Sequence, residues 1–409
     1  MIRAELKKML KTPRVLAVLI FSLLFSLLLS YLPATYEYCR IIQEDQLNEY
    51  SGLKALRILK EEDSAVSGEV TPDMLKAAVL EYRNTLTEYG VFSVQDLPEG
   101  VYRTYLGRYD HLYHMLREAY ADPKTGVPRD LLDLTDHDLE RFEEQRTDRF
   151  ASLMVQEDCP QPVRQKAQEM YSRTAVPLHY YPYFNSNVLD YETLLFFMVM
   201  LCGVVIASPV FAGDYESGAD DIQRCTKNGM HRLAAAKCTA VLVLVTAMYL
   251  AAGTAFFCIT KFLYGSEAMA SDIQTYLSLF TFEPWTLGEL MRYIAAAGYI
   301  CTVSTVLCTL MLSSKIHTTG AAVGISLLVT ALPLLIGTFF STQITDWLVI
   351  MLPSCGLMLQ NSFYYAIHAL SFMSAGNIAV ASERIMTVFE LITIPLYVYL
   401  MFRSYACRK

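Results

Sequence analysis

Charge is scarce along most of this chain. Only 18% of its 409 residues are Asp, Glu, Lys or Arg, against 54% apolar. A Gly-x-x-x-x-Gly-Lys-Ser/Thr loop is missing, so the chain cannot cradle nucleotide phosphates in that way. Ten cysteines are present, but no CxxC and no Cys/His pair stands at metal-site spacing. No converging set of His, Asp, Ser or Cys residues gives the signature of an enzyme. No cofactor in this chain and no nucleic-acid partner are expected.

What is present is a layout of apolar runs. One covers Val15–Leu32, and five more fill the second half: Tyr191–Phe211, Cys238–Leu263, Tyr293–Leu312, Ala321–Phe340 and Ile385–Phe402. Each is close to the roughly 20 residues a helix needs to cross about 30 Å of hydrocarbon. Lipid obliges such a run to satisfy its own backbone hydrogen bonds, so the runs must be helices. The expected fold is an all-α polytopic membrane protein with six transmembrane helices and a mainly helical domain between the first and second. Its parts are residues 1–33 (entry helix and first span), 34–190 (polar domain) and 191–409 (five-helix membrane domain, with a loop at 212–237). The first run exceeds the 7–15 apolar residues of a signal peptide, which predicts an uncleaved anchor. Pro33 is read as stopping its helix.

The charges sort by region. Residues 34–190 hold 28 acidic and 17 basic residues, a net of −11, and the remainder carries +3. Outside that domain, 13 basic residues share one side if all six runs cross: Arg3, Lys7, Lys8, Lys11, Arg14, Arg224, Lys227, Arg232, Lys237, Lys315, Arg403, Arg408 and Lys409. Only Lys261, Arg292 and Arg384 fall on the other. The positive-inside rule then predicts both termini in the cytoplasm and residues 34–190 outside a bacterial-type plasma membrane.

Within that domain, Thr71-Pro72 is a good helix start. Asp110, His114 and Glu118 fall four apart on one helix face, and Asp136-His137-Asp138 is a dense cluster. Both are candidates for a divalent ion, but a solvated face and a capping region explain them more simply because neither matches a known ligand spacing. Cys39 and Cys159 are candidates for a bridge, with two separate thiols the simpler reading. The run His179–Phe184 suits a headgroup-level aromatic belt, with a gating cluster as the alternative. Residues 346–375 are too broken by Pro353 and Gly356 for a clean span. They read as outer-leaflet helices, re-entrant in the alternative, with His368 near the surface.

Residues 211–237 begin acidic, with Asp214, Glu216, Asp220 and Asp221. They pass Gly218 and turn basic through Arg224, Lys227, Arg232 and Lys237, with a break at Gly229. This pattern resembles the type-2 ABC transporter permeases, the exporter-type membrane subunits. In that family the second span runs into a glutamate followed by a glycine, then a polar helix, a basic turn and a lysine opening the third span. Glu216, Gly218, Arg232 and Lys237 stand at those places. Glu5-Leu6-Lys7-Lys8 and Pro13-Arg14 resemble the family's amphipathic entry helix, and the long domain resembles the subgroup that includes sodium-efflux-type permeases. The resemblance implies a separate cytoplasmic ABC ATPase holding ATP-Mg and docking on Glu5, Lys8, Glu216, Gly218, Asp221, Arg224, Arg232 and Lys237. It also implies a second permease chain, identical or paralogous, in the surrounding lipid. The substrate stays open among an ion, a peptide, an antibiotic and a lipid.

Glu390 stands about two turns into the last run. A carboxylate there is costly and makes a candidate for the transport pathway, with a structural glutamate as the equal alternative. Gly320 and Gly324 form a GxxxG that suits close helix packing, within the chain or between chains. The rival functional readings are a membrane-bound enzyme, a secondary transporter, and a sensor or assembly protein that binds a ligand through the polar domain.

Overall fold

The computed structural model describes residues 1–44, 46–225, 230–340 and 342–406. Lys227, Gly229, Arg408 and Lys409, which entered the sequence reading, lie outside the described residues.

Six helices among these are long and apolar enough to cross a membrane: Pro13–Thr35, Asn187–Glu216, His231–Tyr264, Leu287–Ser313, Thr319–Phe339 and Ser382–Tyr405, here spans 1 to 6. The chain is therefore an all-α polytopic membrane protein. Each span exceeds its apolar run because polar residues extend the winding at the ends. Pro33 does not stop span 1, which runs to Thr35. A proline in the last turn forfeits only its own N–H bond back to Leu29, and the residues after it continue to wind. In span 2 the winding is interrupted at Ser208, and Pro209 opens the final segment Pro209–Glu216. Proline suits that first position because its missing N–H has no partner to lose.

Span 4 is the centre of the bundle and packs against spans 2 and 6, while span 1 packs on spans 2 and 3. Span 4 has 67% of its apolar window buried, against 22% for spans 5 and 6. Span 5 leaves Gly320 and Gly324 in open space, so the GxxxG is not used for packing within the chain.

The bundle has two ends. At one, the domain face, stand the polar domain and the connections between spans 3 and 4 and between spans 5 and 6. At the other, the terminal face, the entry helix Ile2–Leu10 meets the connection between spans 2 and 3. The polar domain is mainly helical. It adds a hairpin of β1 (Tyr38–Gln43) and β2 (Gln46–Ser51), in antiparallel register with Tyr38 opposite Ser51. It also holds a short pair, β3 (Gly68–Glu69) with β4 (His179–Tyr180).

Two sequence readings change here. His179–Phe184 is not a lipid-facing belt: Tyr180, Tyr183 and Phe184 are buried. Tyr180 and Phe184 pack against Tyr276 of the connection between spans 3 and 4. That connection binds the polar domain throughout. Asp272 accepts from the His179 amide at 2.7 Å, Glu118 accepts from the Leu279 amide at 2.7 Å, and Tyr171 Oη donates to the Leu279 carbonyl at 3.0 Å. The polar domain is thus fastened by a third strap besides its two chain ends. The second change concerns residues 352–363, where burial among the spans fits the re-entrant alternative better than helices along the outer leaflet. Cys355, Gly356 and Leu357 are buried among the spans, and Ser354 donates to the Thr330 carbonyl at 2.6 Å. A helix Phe363–His368 and a hairpin of β5 (Phe372–Ala375) and β6 (Ile378–Ala381) follow, with His368 exposed.

Candidate functional site: a charged joint on the terminal face

Segment Pro209–Glu216 carries span 2 beyond its apolar run, and Gly218 ends it in the left-handed conformation at φ 69°. That conformation suits glycine, which has no Cβ to clash. A short helix, Ala219–Arg224, follows.

Asp214 is the hub. It points inward, 7% exposed, and ion-pairs with Lys8 of the entry helix at 3.1 Å and with Lys237 of span 3. Lys237 is 1% exposed. Its ammonium also lies 3.5 Å from the Val210 carbonyl and from Gln223 Oε1, and over the Phe211 ring. A buried ammonium needs such partners because lost hydration is otherwise uncompensated. One carboxylate thus holds three elements.

Glu216 holds a fourth. Its Oε2 accepts from the Thr319 amide at 2.9 Å. Thr318, at the N-cap of span 5, makes no side-chain cap of its own. A carboxylate there satisfies an orphan donor and meets the positive end of the helix dipole. Span 4 joins through Ser313, whose hydroxyl donates to the Ser208 carbonyl at 2.6 Å and accepts from the amides of Phe211 and Ala212. Tyr215 Oη donates to the Ser314 carbonyl. A cleft of about 480 Å3 opens between the entry helix and spans 1, 2 and 5, lined by Glu5, Lys8, Arg14, Asp214, Ser217 and Thr319.

The predicted residues divide accordingly. Glu5, Lys8 and Glu216 converge on this joint, and Gly218 forms its turn. Asp221 and Arg232 are exposed beside it, and Arg224 ends the short helix. Lys237 is a correction: buried as it is, it holds Asp214 and cannot touch a docked partner. Asp214 and Ile222 were missed. Two opposite charges at adjacent span ends, Asp214 and Lys237, were the available signal for the first. Ile222 stands 75% exposed on the short polar helix, an isolated apolar side chain where a solvated connector needs none.

Glu390 is buried in span 6. Its carboxylate faces Ser304, Cys301 and the Ser354 amide, but reaches no hydrogen bond of normal geometry among the described residues. Glu192 in span 2 is a second such carboxylate, fully buried and beside Tyr249. It escaped the sequence reading because it follows Tyr191 at a span edge, where a glutamate is ordinary.

The candidate metal clusters resolve into structural bonds. Asp110 accepts from Tyr102, and Glu118 is taken up by the connection between spans 3 and 4. Asp138 completes a capping box with Thr135. Cys39 and Cys159 are both free thiols.

No family model, no curated protein and no solved structure matches the chain.

Proposed function

We propose that the chain is the membrane-spanning permease subunit of an ATP-driven ABC exporter, its energy supplied by a separate ATPase that binds ATP-Mg. The observation that carries this reading is the convergence on Asp214. A push on the exposed helix Ala219–Arg224 is transmitted through Asp214 to the entry helix and span 3, and through Glu216 to span 5. A solvated connector has no need of such linkage. In this reading the terminal face is cytoplasmic, as the distribution of 13 basic residues against 3 favours, and the polar domain is extracellular. Asp221, Ile222 and Arg232 face the ATPase. A second permease chain, the same or a paralogue, completes the pathway, and Glu390 lies along it. The net charge of −11 on residues 34–190 concentrates cations near the exit.

A sensing role draws on one observation of its own. A polar pocket of about 260 Å3 at the base of the polar domain is lined by Glu37, Asp63, Arg103, His111 and Asn185. A ligand held there would favour that role.

Co-purification with the candidate ATPase, followed by ATPase stimulation across a substrate panel, tests the proposal. Glu216→Ala and Arg232→Ala should lower complex recovery or stimulated activity while the protein stays in the membrane. Normal assembly and stimulation of both variants would reduce the joint to a structural connector.

A further inference from the structure

Apart from residues 34–190, the domain face carries three basic residues among those assigned to it: Lys261, Arg292 and Arg384. Arg384 is taken up by Glu283 at 2.7 Å. The other two line a single cleft of about 430 Å3 between the ends of spans 3 and 4, together with Phe257, Thr260, Met269 and Met291. Lys261 has no acidic partner among the described residues. Arg292 has only a 4.0 Å approach to Glu289, and that carboxylate already accepts from the Thr286 amide at 3.0 Å. Thr260 is 1% exposed, and its hydroxyl has no hydrogen-bond partner among the described residues. The cleft therefore combines an unpaired ammonium, a guanidinium only loosely paired to Glu289, a buried hydroxyl without a partner among the described residues, and an apolar wall.

Depth identifies the occupant. Lys261 follows Lys237 by 24 residues in one helix, about 36 Å at 1.5 Å per residue. Arg292 precedes Lys315 by 23 residues, about 34 Å on the same rise. Both cations thus stand one hydrocarbon thickness from the basic residues of the terminal face, at the far headgroup layer. Dissolved anions meet the acidic domain first. A lipid anion arrives sideways within the bilayer, and only a lipid has an acyl chain to lay against Phe257, Met269 and Met291.

We propose that this cleft binds the phosphate headgroup of an anionic phospholipid from the leaflet on the domain face. Lys261 and Arg292 pair with the phosphate, Thr260 donates to it, and the acyl chain lies on the apolar wall. The proposal rests on the spans crossing a membrane and is independent of the transport reading.

The test uses the full chain purified in detergent. Retained lipid is measured by native mass spectrometry, and thermal shift is measured with phosphatidylglycerol, phosphatidylcholine or glycerol phosphate added. Phosphatidylglycerol should bind in preference to phosphatidylcholine, and glycerol phosphate should have no effect. Lys261→Gln with Arg292→Gln should weaken phosphatidylglycerol binding roughly tenfold or more, and Thr260→Val should weaken it less. Lys315→Gln on the terminal face should change nothing. Both cations are solvent-exposed, so the double variant should keep the wild-type elution profile. Thr260→Val supplies a second reading if it does not. Equal retention by wild type and the variants would overturn the proposal. So would glycerol phosphate binding as tightly as the lipid, which would make the cleft a site for soluble anions.

Discussion

Replacing Asp214 by Asn probes the joint most sharply. The substitution keeps the shape and removes the charge. Lys237, 1% exposed, then loses its paired carboxylate and keeps neutral partners: the amide oxygen, the Phe211 ring, and the Val210 carbonyl and Gln223 Oε1, both at 3.5 Å, the outer limit of a hydrogen bond. Breaking one side of a buried pair costs about 3–5 kcal/mol, because the charge left behind stays desolvated. The Lys8 arm is different. Its side chain is 62% exposed, so solvent screens the pair and Lys8→Gln should cost about 0–1 kcal/mol. In thermal unfolding of the purified chain, Asp214→Asn should lower Tm by on the order of 4–6 °C, and Lys8→Gln by about a degree at most. Adding Lys237→Met to Asp214→Asn should restore most of the loss, since removing both charges leaves no buried orphan charge. Equal small shifts for Asp214→Asn and Lys8→Gln would refute the reasoning. A double variant less stable than Asp214→Asn alone would do the same.

Other consequences are open to measurement. Glu216→Ala should cost about 1 kcal/mol by uncapping span 5, and Thr318→Asp should restore the stability without restoring ATPase coupling; recovery of both would mean that Glu216 acts only as a cap. His111 sits among Tyr180 and Tyr276, and burial pushes its imidazole down from 6.5 to about 4. A depressed base stabilises the fold above its unfolded value and loses that contribution as pH falls toward about 4. The polar-domain junction should therefore loosen over that window. Burial raises the Glu37 and Asp63 carboxyls nearby, and their contributions grow as pH falls. The difference between wild type and His111→Phe in hydrogen exchange at residues 271–283 isolates the histidine, and identical pH profiles would exclude it. Deleting residues 37–173 removes Glu118 and Tyr171, which hold the Leu279 amide and carbonyl. The six spans should still insert, but limited proteolysis should cut near residues 278–283, and full resistance there would show that the strap is dispensable.

The spans were readable because hydrocarbon thickness imposes a length and forbids charge, so the pattern is local. Their ends were not: Pro33 looks like a stop until the residues after it are seen to wind on. The junction at His179–Phe184 was misread for a similar reason. Tyrosines at a span edge suit a headgroup layer as well as a protein core, and the deciding partner, Tyr276, stands about 90 residues away. The joint was half visible. Glu216 and Gly218 stood out by pattern, whereas Asp214 acquires its meaning only when Lys8 and Lys237 arrive from distant segments. Lys237 was assigned to the dock by its match to the lysine that opens the third span, while a close carboxylate lets it stay buried. Glu390 stood out because it interrupts an apolar run, and Glu192 did not because it begins one.

The measurement that bears most directly on the proposed function is a cross-link from Ile222. A photoreactive residue placed there, in membranes of cells that carry the native partners, should capture a cytoplasmic protein with a nucleotide-binding phosphate loop. The same residue at Phe92, 91% exposed on the polar domain, should not. Capture of that ATPase from position 222 and not from position 92 is what the account predicts. Capture from position 92 alone, or no ATPase adduct from position 222, would contradict it.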